Sequence, residues 1–276
     1  MNIQRFGQIA TVVLALLPQV TLASSGAAPL PQVDWSFLGP FGTFDRAALK
    51  RGAQVVTQVC MSCHSVKYIK FDHLRQVGMN EADVTALAES QGKTKKDRML
   101  SQMDANAAKE SFGVVPPDLS LMIKARKGYE NYTYGILTGY LNQEESDLVN
   151  KVMEDGKISD EEAKAIASKL HLDAHNPDKM LETLKRIKAG DNFNKYFPGN
   201  FFAMPQPVSD GAVTYADGTT NNLDQLAKDT VSFLAWASEP IQEERKATGF
   251  KVIIYLIILS AMLFAVKRRI WAKIHH

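Results

Sequence analysis

Cysteine is almost absent: the 276-residue chain has two, Cys60 and Cys63. This excludes a disulfide framework beyond a bond within the pair, and a structural zinc site built from two cysteine pairs. Net charge is also nearly absent, +2 from 32 basic and 30 acidic residues. No basic stripe interleaves with aromatics, so nucleic acid is not an expected partner. Calcium ligands are missing where a calcium loop is imitated. With Gly156 as the sixth position of the stretch around Glu154–Glu162, the first and third positions are Lys151 and Met153, which cannot ligate the ion. His171 and His175 have i, i+4 spacing, but a solvated pair is the simpler account. Long hydrophobic runs are confined to the two ends of the chain.

What is present is Cys60-Met61-Ser62-Cys63-His64, the C-x-x-C-H pattern of c-type haem attachment. Each thiol adds to one porphyrin vinyl group, and the adjacent histidine reaches the iron as its proximal ligand. A thioredoxin-like redox pair belongs at a helix start in a βαβ setting, whereas this motif ends a helical pattern. One covalently attached haem c is therefore the expected cofactor, with Cys60, Cys63 and His64 as its binding residues.

Both ends point to a membrane. Residues 1–23 have the form of a secretory signal peptide: Arg5, an apolar stretch from Ile9 to Leu17, and Thr21-Leu22-Ala23 before the cleavage point. An uncleaved anchor is the alternative, though the apolar run is short for a span. Export agrees with the motif, since c-type haems are attached on the export side. Near the other end, Val252–Val266 is almost wholly apolar, and Phe250, Ile270 and Trp271 extend it. We expect a transmembrane helix over 249–269, rather than a buried core helix, because Lys267-Arg268-Arg269 and Lys273 follow. The positive-inside rule places the tail 270–276 in the cytoplasm and an exported domain, 24–248, on the other side. That domain, about 220 residues, is large enough for one sizeable core.

The domain reads as mainly α. Asp45 caps a helix in which Leu49, Gly52, Val55, Val56 and Val59 recur at helical spacing. Gly52 costs about 1 kcal/mol relative to alanine there, which argues for close approach by another element. A second helix is announced by Asn222 with Gln225, a capping-box pattern, followed by Leu223, Leu226, Ala227, Thr230, Phe233 and Leu234 on one face. Crossing of these helices is the frame of the class I cytochrome c fold; two ordinary amphipathic core helices are the alternative. Residues 143–190 are rich in Glu, Asp and Lys and are expected to form an inserted, solvent-exposed helical lobe, with helices near Glu144–Met153, Ser159–Leu170 and Asp178–Ala189.

An electron-carrying haem iron needs a second axial ligand, and methionine is usual where a high potential is wanted. Among ten methionines, Met204 has the fitting setting, Phe201-Phe202-Ala203-Met204-Pro205-Gln206-Pro207. Aromatics supply a dry wall and prolines stiffen the loop. Met61 lies inside the attachment loop and cannot fold back onto the iron. Pro116-Pro117 offers rigid backbone with a carbonyl for the His64 Nδ1–H. Arg126 either forks onto a haem propionate or lies on the surface.

Taken together, these residues resemble the cytochrome c1 family, the haem subunit of the bc1 complex (quinol:cytochrome c oxidoreductase). The matches run from Arg51–Val56 into Cys60–Ser65, then Pro116–Ser120, Lys124–Arg126, Leu137–Tyr140, Tyr196–Gly199, Ala203–Pro205, Tyr215–Thr219, Asp229–Pro240 and the C-terminal span. The resemblance implies His64 and Met204 as metal ligands, Arg126 at a propionate and Pro117 against the haem on the histidine side. It also implies a Rieske iron–sulfur subunit as electron donor, a cytochrome c as acceptor, and cytochrome b beside the span. The implied setting is a bacterial inner membrane, with the haem domain periplasmic and quinol oxidation coupled to proton translocation. The His64–Pro116 stretch is short for the family, Ser111-Phe112 stands where an asparagine is frequent, and the 143–190 lobe is unusually charged. Two other functions fit a c-type haem: a free-standing anchored cytochrome c, and a gas sensor or peroxidase with an open distal position.

Overall fold

A computed structural model describes residues 27–155, 159–173 and 176–272. The expected signal peptide, 1–23, lies outside the described residues, as do His175, residues 156–158 of the calcium-loop imitation and 273–276 of the tail. Among the described residues, regular structure begins with α1 (Arg46–Gln58), where the Asp45 carboxylate accepts the N–H groups of Ala47 and Ala48. A short 3-10 turn at Cys60–Ser62 follows, then β1 (Val66–Lys70), a 3-10 stretch at Phe71–Val77 and α2 (Glu81–Glu89). β2 (Arg98–Met99) pairs antiparallel with β1, with Val66 opposite Met99. Then come α3 (Ala105–Phe112), α4 (Met122–Ala125), α5 (Tyr129–Thr138), α6 (Gln143–Asp155), α7 (Asp160–Leu170), α8 (Pro177–Lys188), α9 (Leu223–Ser238) and α10 (Gln242–Trp271). The structure is mainly helical, and the expected fold class holds at that level.

The core is organised by the crossing of α1 and α9. Leu49, Ala53, Val55 and Val56 meet Leu226, Ala227, Val231, Phe233 and Leu234 in one buried cluster. Gly52 sets the separation: a Cβ there would fall 2.0 Å from the Asp229 carbonyl oxygen and 2.7 Å from Phe233 Cβ. The glycine that is costly in a lone helix is what lets two backbones touch. Beside it, Arg51 forks onto the buried Asp229 carboxylate (Nε–Oδ2 2.8 Å, Nη2–Oδ1 3.1 Å) and also reaches Asp217 at 3.0 Å. Its guanidinium lies 5.7 Å from the centre of the Tyr215 ring. The hydrogen bond that Arg51 donates to Asp229 raises the Arg51 pKa, so this cation stays charged. The capping box expected on α9 is only half formed. Asn222 Oδ1 accepts the Gln225 N–H, but the Gln225 side chain runs toward Asp229, to which its Nε2 donates, instead of back to the Asn222 N–H.

The charged 143–190 segment has an interior of its own. Val149, Val152, Ile166, Leu170, Met180 and Leu184 close around Phe193, and Phe201 packs against them. Lys195 and Glu145 form a largely buried ion pair at 2.5 Å that ties this lobe to the following loop. The density of surface charge hides this small core from a reading of composition.

α10 is 30 residues, about 45 Å of helix, and none of its residues is buried. It is long and apolar enough to cross a membrane. Its first turns are fastened to the domain. Lys246 Nζ donates to the carbonyls of Phe37 (2.6 Å) and Gly42 (3.1 Å), and the Glu243 carboxylate accepts the Phe44 N–H at 2.7 Å and pairs with Arg46. Glu239, at the end of α9, pairs with both Lys124 and Arg245.

Gly52→Ala should lower the unfolding free energy of the detergent-solubilised protein by about 3 kcal/mol, because the added methyl meets backbone that cannot yield. Asp229→Asn should cost about 3 kcal/mol, because the part-buried Arg51 keeps only the exposed Asp217 as an anionic partner. Denaturant titration reads both; unchanged midpoints would mean that the crossing is looser than described.

Candidate functional site

The Cys60–His64 turn emerges directly from the end of α1. The N–H groups of Cys63 and His64 both donate to the Cys60 carbonyl, at 3.1 and 2.8 Å, and Ser62 Oγ donates to Val59 O. Met61 points inward and is fully buried, and its carbonyl accepts the Gln102 N–H at 3.0 Å. One residue of the motif thus nails the turn to the core. The flanking thiols are unpaired, and burial pushes the Cys60 thiol up to about 12. A thiol so reluctant to ionise is unlike the thiolate of a redox-active C-x-x-C pair.

His64 Nδ1 lies 2.7 Å from the Pro117 carbonyl oxygen. Since a carbonyl only accepts, Nδ1 carries the hydrogen and Nε2 presents its lone pair. Burial lowers the His64 pKa, which favours the neutral, ligating imidazole. The segment carrying Pro117 is laced to the chain after His64: Leu119 N–H to Ser65 O at 2.7 Å, Lys67 N–H to Asp118 Oδ2 at 2.9 Å, Tyr68 N–H to Ser120 Oγ at 3.1 Å. Ser101 N–H donates to Ser65 Oγ from a third direction. Pro116 and Pro117 have no N–H to offer, so the backbone donors of this segment start at Asp118.

Met204 is half-buried in a loop held by Tyr140, whose hydroxyl donates to Met204 O (2.9 Å) and Pro205 O (3.2 Å). Desolvation raises the Tyr140 pKa, so the phenol keeps its donor proton. The two aromatics before Met204 divide their work. Phe202 stacks on Phe197 at 4.6 Å and tilts against Tyr140, while Phe201 turns into the charged lobe against Phe193, with Arg186 3.7 Å over its ring. Arg126 is exposed and donates to its neighbour's carbonyl, Ala125 O, at 3.1 Å; among the described residues no carboxylate pairs with it. The structure therefore brings His64 and Pro117 into contact, whereas Met204 and Arg126 make no hydrogen bond to either.

Two free thiols, an imidazole with its Nε2 presented and its Nδ1 fixed by backbone form a donor set that fits a covalently bound haem. Reasoning from sequence missed the Tyr140 latch and the Ser65–Asp118–Ser120 lacing. Tyr140 lies in a matched stretch, yet nothing in its neighbours says which carbonyl its hydroxyl meets.

Comparison with known proteins agrees with this chemistry. The Cytochrome C1 family profile matches residues 35–274. Relatives include a cytochrome c1 of Rhodospirillum rubrum, 34% identical with 92% of each chain covered. A "Cytochrome b-c1 complex catalytic subunit, mitochondrial" of Candida albicans is 32% identical, covering 92% of this chain and 81% of that one. A protein named cytochrome b/c1 from Bradyrhizobium diazoefficiens is 34% identical over 92% of this chain but only 37% of its own length. The chain belongs to the cytochrome c1 family, the haem subunit of the bc1 complex, whose members carry one covalently attached c-type haem.

Tyr140→Phe should cost about 1 kcal/mol of stability. It should also weaken the methionine-to-iron charge-transfer band while the thioether bonds survive. An unaltered band and unaltered stability would show that the Tyr140 hydroxyl does not hold the Met204 loop.

Proposed function

We propose that this member of the cytochrome c1 family is the membrane-anchored electron-transfer subunit of a quinol:cytochrome c oxidoreductase. It takes electrons from a Rieske iron–sulfur subunit and passes them to a cytochrome c, within quinol oxidation coupled to proton translocation. The observation that carries the reading is the His64 Nδ1–Pro117 O hydrogen bond beside two unpaired thiols. When bound, the haem supplies one-electron iron chemistry, and the protein tunes its potential. Cys60 and Cys63 would hold it covalently, His64 Nε2 and the Met204 thioether would be its metal ligands, and Pro117 would keep the imidazole ring in place. Arg126, unpaired with any described carboxylate, would be free to fork onto a propionate. Phe202, Phe197 and the protonated Tyr140 shield the methionine side from water. No side chain is required as an acid, base or nucleophile.

The relative named cytochrome b/c1 supports a cytochrome b subunit as neighbour of the span. The chain sits in a bacterial inner membrane as a single-pass protein, its leader removed after export. Lys267, Arg268 and Arg269 keep the C-terminus cytoplasmic and the haem domain periplasmic. A mobile carrier would trail its haem domain on a flexible linker. Here the clamp of Lys246 and Glu243 on residues 37–44 favours a fixed subunit instead.

Met204→Leu should leave the haem attached, lower its midpoint potential and open the iron to carbon monoxide. A wild-type potential with no carbon monoxide binding would refute Met204 as ligand. Solubilised from its membrane, the chain should co-purify with a b-type cytochrome and an iron–sulfur protein; isolation as a lone haem protein would favour the carrier.

A further inference from the structure

The turn over Leu38–Gly42 displays what a water-facing surface normally hides. Phe41 is 77% exposed and Leu38 47%, on either side of Gly39-Pro40. The display is built into the backbone. Thr43 N–H donates to Ser36 O and Leu38 N–H to Trp35 O, and the buried rings of Phe37 and Phe44 stack beneath at 4.8 Å. Gly39 adopts φ +73°, and a Cβ on Gly42 would fall 1.9 Å from the Leu38 carbonyl oxygen, so no other residue fits that turn. The turn is then fastened to the first turns of α10. Lys246 holds the carbonyls of Phe37 and Gly42, and Gln242 Nε2 donates to Phe37 O at 3.1 Å. As a result the Phe41 ring meets Phe250 edge-on at 5.8 Å, and Phe250 opens the apolar run of α10.

We propose that Leu38 and Phe41 are a second membrane contact, seated at the boundary of headgroups and acyl chains at the depth of Phe250. The haem domain would otherwise swivel about one helix. A rigid turn beside that helix adds a second point of support and sets the tilt of the domain over the bilayer. Lipid, rather than another protein, is the occupant favoured by continuity with the wholly exposed apolar surface of α10. Lys251, exposed next to Phe250, lies where a cation meets headgroups. The proposal rests on α10 being a membrane span.

The two native cysteines are consumed by the haem, so an introduced cysteine is the one free thiol of this chain, and the wild-type assembly labelled in parallel supplies the background from other subunits. Phe41→Cys carries a nitroxide in the purified assembly returned to phosphatidylcholine–phosphatidylglycerol nanodiscs, with the haem spectrum confirming an intact domain. Leu38→Cys serves as the second site. Relaxation by oxygen, which concentrates in the bilayer, is compared with relaxation by a water-soluble nickel chelate. The oxygen-to-nickel ratio at 41 should exceed that of a label on the exposed Val114 several-fold and approach that at Phe250→Cys. A ratio like that at 114, or a label shielded from both agents as under a protein partner, overturns the proposal. Ile257→Cys separates the two readings. A deep signal there with a watery one at 41 condemns only the turn, whereas a watery signal at both condemns the span.

Discussion

The contact between α1 and α9 at Gly52 is the constraint on which the rest of the molecule depends. It presses the α1 backbone against the Asp229 carbonyl, closer than any side chain would permit, and the Arg51–Asp229 fork locks the register beside it. A buried carboxylate next to a touching backbone leaves few alternative packings, since sliding one helix would strand both charges. Two functional parts are delivered from this one junction. The end of α1 runs straight into Cys60–His64, and the end of α9 runs through Glu239 into α10. The haem motif and the apolar helix α10 are therefore placed by the same crossing, which is a physical reason for them to move as one body.

Around that junction the proposed ligands are positioned mainly by backbone groups. The His64 ring is set by a carbonyl whose own segment is tied by three hydrogen bonds to Ser65, Lys67 and Tyr68. The Met204 loop is set through its carbonyls by one phenol. Such arrangements suit an electron carrier, where low reorganisation matters and no proton need be moved. Fixing a ligand through backbone acceptors also leaves the donating side chain free to be buried and uncharged.

How far the residues announced this differs from place to place. The attachment motif, the Asp45 cap, the face of α9 and the three helices of the charged segment follow from local spacing, because period and capping act over a few residues. Gly52 was legible as a close approach by the helix after Asn222, but the atoms it meets, the Asp229 carbonyl and the Phe233 side chain, were identified only in space. The charged segment showed its outer face and concealed Val149, Ile166 and Leu184, which become a core only when three helices meet. Gln225 was misjudged for the same reason: its spacing from Asn222 describes a local cap, and a carboxylate one turn further on competes successfully for its amide.

The sequence by itself determined that this chain carries a haem, belongs with the cytochrome c1 proteins and holds a helix fit to cross a membrane. Those properties are written in covalent chemistry and in contiguous hydrophobicity, and neither needs a fold to be read. Only the tertiary structure decided that His64 turns its Nδ1 to Pro117, that Tyr140 latches the Met204 loop, and that residues 37–44 grip the base of α10. Each of these joins positions far apart in the chain through one or a few hydrogen bonds. Such pairings follow from the placement of whole helices, which local sequence does not encode.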